Sequence, residues 1–172
     1  PLGPGERHAS LLSLPHLLGG APLADTTQPM GYLRLSRGSA DPLERASRAN
    51  PLRIGVVWAA GRKLDDPFTA REYHKRSLPP ALLWRLVEAL QQRGAAVVSL
   101  QVGDDAVTAE ALGCALTPPH EPIASFLGTA RVLQRLDLLV SVDTAVAHLA
   151  GALNRPAWIL LPWSADPRWL ES

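Results

Sequence analysis

Ser141-Val142-Asp143-Thr144-Ala145-Val146-Ala147-His148-Leu149-Ala150-Gly151-Ala152-Leu153 decides the fold class of this chain, because a buried-strand run ends in a polar doublet and turns at once into a helical pattern. The strand is read over residues 137–142, nearly continuous in Leu and Val, as a strand buried on both faces should be. Asp143 and Thr144 fall at its carboxyl end, where the next helix offers backbone N–H groups and the positive end of its dipole. An anion placed there is held by geometry the fold already supplies. His148 follows Thr144 by one helical turn, so its imidazole shares roughly the same face. Taken alone, the segment also reads as an ordinary capped helix carrying a structural histidine.

Outward from that segment, the chain divides near Asn50. Residues 1–50 are rich in Pro, Gly and Ser and hold only short apolar runs, which reads as tail and linker; residues 51–172 read as one folded domain. From Leu52 strand-like and helical patterns alternate: strand 52–58, helix 79–93, strand 95–100, a short helix near 107–112, helix 123–136, strand 137–142, helix 144–153 and strand 157–161. Such alternation predicts an α/β fold, a Rossmann-like parallel sheet with helices on both faces. In sheets of that kind ligands lie beyond the carboxyl ends of the strands.

Two other strand ends carry candidate chemistry. After Trp58 comes Ala59-Ala-Gly-Arg-Lys and a long polar loop closing with Tyr73-His-Lys-Arg-Ser-Leu-Pro79. A solvated surface loop explains the charges equally well, but Pro79 suits the first turn of a helix and Lys75 and Arg76 precede it, placed to pair with a diphosphate. After Leu100 the loop Gln101-Val-Gly-Asp-Asp105 precedes another helix. A carboxylate there either caps the helix or accepts hydrogen bonds from ribose hydroxyls.

Composition narrows the field. At 172 residues with 47% hydrophobic content the chain can bury a sizeable core, and a net charge of +1 gives no basic excess to track a nucleic-acid backbone, so no nucleic acid is expected as partner. Cys114 is the only cysteine, which excludes an internal disulfide and a Cys-rich zinc site; no metal is expected. The apolar stretch 11–18 is interrupted by Pro15 and His16 and is far shorter than the ~20 residues of a membrane span. The amino terminus lacks the features of a secretory signal, so a cytoplasmic protein is expected, peripheral to a membrane at most. No G-x-G-x-x-G, G-x-x-x-x-G-K-[ST] or H-E-x-x-H motif occurs. Ser141, Asp143 and His148 do not make a hydrolase triad, because the serine lies in a strand rather than on a nucleophile elbow.

The segment 141–153 continues with Asn154-Arg-Pro-Ala-Trp-Ile-Leu-Leu-Pro-Trp163 and Asp166-Pro-Arg-Trp169. This run resembles the carboxyl-terminal signature of the heptosyltransferase-like glycosyltransferases, in particular the bacterial branch often fused to tetratricopeptide repeats. Leu11-Leu-Ser-Leu-Pro with Tyr32-Leu, Ile54-Gly-Val-Val-Trp-Ala, Arg76-Ser-Leu-Pro and Val98-Ser-Leu-Gln-Val-Gly follow the family's order. The resemblance implies the donor-binding, carboxyl-terminal half of a two-domain GT-B fold, most of whose amino-terminal domain, with the catalytic base, is absent here. It implies metal-independent, inverting transfer from a nucleotide-diphosphate sugar, an ADP-linked one among the candidates, with no further cofactor. The acceptor would be a glycan, a lipopolysaccharide or a protein, and the place of action the cytoplasmic side of a bacterial membrane.

By the same resemblance Arg76 contacts donor phosphate with Lys75 as its alternative, and Asp105 matches the ribose position. Thr144 and Ala145 give N–H groups to the diphosphate, Asp143 meets the donor sugar or its phosphate, and His148 supports the site. The chain departs from the family in Ala145, where many members have Gly, and in Ser125-Phe-Leu-Gly-Thr-Ala130, which replaces a more acidic version. It also ends before the family's final helix. A rival reading is a non-catalytic nucleotide-binding or protein-docking module, with the five Trp residues as a docking surface.

Overall fold

A computed structural model describes residues 31–35, 51–62 and 64–163. The expected linker 1–50, apart from 31–35, and the Asp166–Trp169 run lie outside the described residues. Four strands form one parallel sheet: β1 (Arg53–Val57), β2 (Ala96–Ser99), β3 (Leu138–Val142) and β4 (Ala157–Leu160), in the order β2-β1-β3-β4. Between them run helices α1 (Pro67–Arg76), α2 (Pro80–Gln92), α3 (Thr108–Ala111), α4 (Phe126–Gln134) and α5 (Ala145–Ala152), with a 3-10 turn at Asp104–Val107 leading into α3.

Alternation along β1 sends side chains into two cores. Ile54 and Val56 face one side with Val97 and Val140, covered by Leu83 and Val87 of α2 and Ala109 of α3. Val57, Val98 and Leu139 face the other, covered by Val132 and Leu133 of α4 and Ala150 of α5. Helices therefore lie on both faces, as the alternating pattern requires. Gly55 is needed on the second face: a Cβ there would stand 2.4 Å from a Leu136 methyl and 2.8 Å from one of Leu100.

Local chemistry sets the element ends. Ser125 caps α4 by accepting from the Gly128 N–H at 3.1 Å. Helix α5 closes in a Schellman motif, with Asn154 at φ 54° and the Arg155 N–H on the Ala150 carbonyl at 2.8 Å. Its last turn also meets the 31–35 segment, where Leu33 N–H donates to the Ala152 carbonyl at 2.9 Å.

One element was not anticipated. The stretch read as a polar loop contains α1, whose N-cap Asp66 accepts from the N–H groups of Phe68 and Thr69 while Pro67 occupies the first turn. None of its residues is fully buried, so no apolar stripe advertised it.

Trp58 is a core residue, 2% exposed, and does not belong to a docking surface, whereas Trp84, Trp158 and Trp163 are exposed. Among the described residues no helix is long and apolar enough to cross a membrane.

Candidate functional site

The strand order creates the site. From β1 the chain moves outward to β2, then returns across β1 to β3 and continues to β4, so its direction reverses between β1 and β3. Open α/β sheets offer a crevice at that point, beyond the carboxyl ends. Val57 pairs with Ser141, so the chain leaves both strands at the same level. Trp58 to Ala60 continue the chain from β1, and Asp143 and Thr144 continue it from β3.

The two sides differ in what their backbone offers. Gln101, buried at the end of β2, accepts from the N–H groups of Trp58 at 3.1 Å and Ala59 at 2.9 Å. It also donates to the carbonyls of Ala59 and Val102. The Ala60 N–H goes to the Ser77 hydroxyl at 3.2 Å. Three successive amides after β1 are thus committed internally, and this loop is no phosphate cradle, which agrees with the missing glycine fingerprint. Sequence reasoning passed over Gln101; its signal was a polar residue directly after the apolar run 95–100.

After β3 the amides are presented differently. Thr144 is the extended N-cap of α5, yet its side chain makes no cap bond; its hydroxyl instead lies 3.1 Å from that of Ser141. Ser141 is fully buried and also donates to the Val142 carbonyl at 2.7 Å, a structural role rather than a nucleophile's. The N–H groups of Ala147 and His148 reach the Thr144 carbonyl, whereas those of Ala145 and Val146 precede the helical ladder. Ala145 is exposed, so the positive end of α5 is open to solvent.

Side chains converge at the same point. Arg76, at the last residue of α1, places Nη2 2.7 Å from the Asp143 carbonyl oxygen and 3.3 Å from its Oδ2. Its Nε, shielded from solvent, has no hydrogen-bond partner among the described residues. Asp143 is 5% exposed, and its Oδ1 stands 3.6 Å from His148 Nε2. Burying a carboxylate is costly unless cations or donors surround it; Arg76 supplies the cation from α1, and the His148 imidazole stands alongside from α5. Arg76, Asp143, Thr144, Ala145 and His148 therefore meet around the start of α5. Lys75 is exposed on the neighbouring face of α1.

Asp105 stands apart from this group. It is 8% exposed in the 3-10 turn after β2, and its Oδ1 accepts from the Tyr73 hydroxyl at 2.5 Å. Burial foremost, then the bond to Asp105, raises the Tyr73 phenol above its usual 10.0. An exposed pair, Arg62 to Asp104 at 3.9 Å, joins the loop after β1 to the same 3-10 turn. Among the described residues no group of three or more His, Cys, Asp or Glu side chains stands close enough to hold a metal ion.

The model of glycosyltransferase family 9 (heptosyltransferase) matches residues 67–160, from the start of α1 to the end of β4 and more than half of the chain. Among solved structures, E. coli heptosyltransferase WaaC with ADP is similar at 24% identity and a TM-score of 0.48, over 64% of this chain and 33% of that one. The chain thus spans about a third of the length of that relative. No curated protein matches it.

Proposed function

The chain belongs to glycosyltransferase family 9, the heptosyltransferase family, and on that premise we propose that its sheet is the donor-binding half of a two-domain GT-B enzyme and holds the nucleoside diphosphate of a sugar donor. The observation that carries this reading is the Arg76 guanidinium on Asp143 at the open N-terminus of α5, beside the crossing point of the sheet. A diphosphate lying there meets a planar cation and the N–H groups of the first helical turn together.

The reaction is an inverting displacement. An acceptor hydroxyl oxygen attacks the anomeric carbon of the donor sugar and forms the new glycosidic bond. The bond from that carbon to the diphosphate oxygen breaks, its electron pair leaves with the diphosphate, and the acceptor proton passes to a base outside this domain. Arg76 and the N–H groups at Thr144 and Ala145 stabilise the departing charge, so no metal is required. Lys75 adds positive charge next to them. Asp143 fixes the guanidinium and accepts from a donor sugar hydroxyl, and His148 supports that carboxylate. Asp105, with one oxygen committed to Tyr73, uses the other for a ribose hydroxyl. The acceptor is a glycan, a lipopolysaccharide or a protein, met at the cytoplasmic face of a bacterial membrane.

Thermal-shift and calorimetric comparison of ADP, UDP, GDP and CMP with the 172-residue chain tests the reading. One diphosphate should stabilise the fold, by about 2.7 kcal/mol at a hundredfold excess over Kd, while the chain alone transfers no sugar. If no nucleoside diphosphate shifts the transition, the donor-site assignment fails. If donor binds but supplying a complementary amino-terminal domain restores no transfer, the chain is a nucleotide-binding module instead.

A further inference from the structure

We propose that Tyr73 is a positioning residue, its hydroxyl latching α1 onto Asp105 across the carboxyl end of β1 and so holding Arg76 on Asp143. Helix α1 buries none of its ten residues completely, so apolar packing alone roots it weakly. Its C-terminal end is tied to the loop after β1 by the Leu78 N–H on the Trp58 carbonyl at 2.7 Å and the Ala60 N–H on Ser77. Those bonds fix where the helix ends. Its rotation about its own axis is set by side chains.

Tyr73 and Arg76 are three positions apart and share a face of α1. Their partners lie on opposite sides of β1, because Asp105 follows β2 and Asp143 follows β3 in the order β2-β1-β3. One helix face therefore spans the crossing point and is pinned at both ends. Asp105, 8% exposed, needs a donor at that depth, and a phenol bonded to a carboxylate is a charge-assisted contact. Burial and Asp105 itself keep the phenol protonated well into alkaline solution. The Tyr73 ring packs on the core beneath the helix, so removing the hydroxyl alone leaves that packing in place. The exposed Arg62 to Asp104 pair is too screened to replace the latch.

The consequence for ligand binding rests on the donor-site reading above, whereas the latch itself is a property of the unliganded chain, and the experiment separates the two. Tyr73→Phe should speed amide exchange across α1 and leave the exchange of α2, α4 and the sheet unchanged. Calorimetry with ADP should show affinity about tenfold weaker, the equivalent of ~1.4 kcal/mol. In an Arg76→Ala background the same substitution should cost nothing further, because the residue it positions is gone.

Unchanged exchange in α1 overturns the latch. So does a Tyr73→Phe loss of equal size with and without Arg76, which would mean that Tyr73 acts through Asp105 or the fold at large. If the wild-type chain binds UDP or GDP in place of ADP, that diphosphate is used in the calorimetry; if it binds none of them, the donor-site reading fails and the exchange arm still decides the latch. Should Tyr73→Phe fold poorly, Asp105→Asn keeps an acceptor oxygen without the charge and should accelerate α1 exchange to a smaller extent. No acceleration in that variant counts against the latch.

Discussion

Arg76→Ala separates a binding role from a structural one, because the side chain is at once the neighbour of a buried carboxylate and the cation proposed to meet the diphosphate. The substitution removes the 2.7 Å bond to the Asp143 carbonyl and the 3.3 Å pair with its carboxylate. Asp143, its side chain 7% exposed, is then left with His148 at 3.6 Å as basic neighbour. Leaving a buried polar group short of a partner costs about 1–3 kcal/mol, and a fully buried ion pair more. Arg76 is itself 36% exposed, so solvent already screens the pair and the lower half of that range applies. A loss of ~1–2 kcal/mol corresponds to about 2–8 °C in Tm for a chain of this size. Affinity for ADP should fall more steeply, by roughly 10–150-fold, since charge-assisted bonds contribute about 1.5–3 kcal/mol. Arg76→Lys should recover only part, a point charge replacing a planar fork.

The deciding variant is Asp143→Asn added to Arg76→Ala. A neutral amide at 143 no longer needs a cation, so most of the lost stability should return. Affinity should not return: the double variant should still bind ADP at least tenfold less tightly than Asp143→Asn alone, a step of ~1.4 kcal/mol. Thermal denaturation and titration calorimetry on the four proteins read both quantities. If affinity recovers along with stability, Arg76 serves the fold by neutralising Asp143, and the diphosphate clamp is refuted.

Gln101→Leu keeps the volume but orphans the Trp58 and Ala59 N–H groups, and should lower stability by about 2–5 kcal/mol in denaturant unfolding; a loss under ~0.5 kcal/mol would show that water replaces the amide. Gly55→Ala drives a methyl into Leu136 and Leu100 and should cost about 1–3 kcal/mol, and Leu136→Ala in the same chain should relieve part of that strain. Absorbance titration of the two tyrosines should show Tyr73 ionising above 10.0. Its folded pKa exceeds its unfolded one, so its stabilising contribution is complete below pH 10 and disappears as pH rises through the folded value. Tyr73→Phe should remove that alkaline loss. The His120 imidazole, partly desolvated by its neighbours and close to the charge of Arg135, should titrate below 6.5 by NMR, and Arg135→Gln should move it upward.

Much of the architecture was legible in local pattern. The strands were found because each reads as an apolar run, the central β1 and β3 because both their faces are covered and the outer β4 although its Trp158 and Leu160 are exposed: 52–58, 95–100, 137–142 and 157–161 enclose the four observed strands. Helix α5 announced itself through Asp143-Thr144 before an Ala-rich turn, and α2 through Pro79 and its apolar stripe. Helix α1 escaped because Pro67 to Arg76 carries no such stripe; Asp66-Pro67, a cap followed by a first-turn proline, was the available signal.

The site is legible in a different sense. Asp143, Thr144, Ala145 and His148 are adjacent in sequence, so one strand-to-helix junction places them together without reference to the rest of the chain. Arg76 and Asp143 are 67 residues apart and Tyr73 and Asp105 are 32 apart. Their meeting depends on β1 lying between β2 and β3, and strand order is a global choice that no local pattern encodes. Gln101 reads as an ordinary loop amide until the sheet brings Trp58 and Ala59 beside it. The sequence by itself determined the strands, the helices other than α1 and the strand-to-helix junction at the start of α5, because helix and strand periodicity and capping are short-range. Tertiary structure alone decided which cation reaches that end, because hydrogen bonds between loops form only once the strands have taken their places.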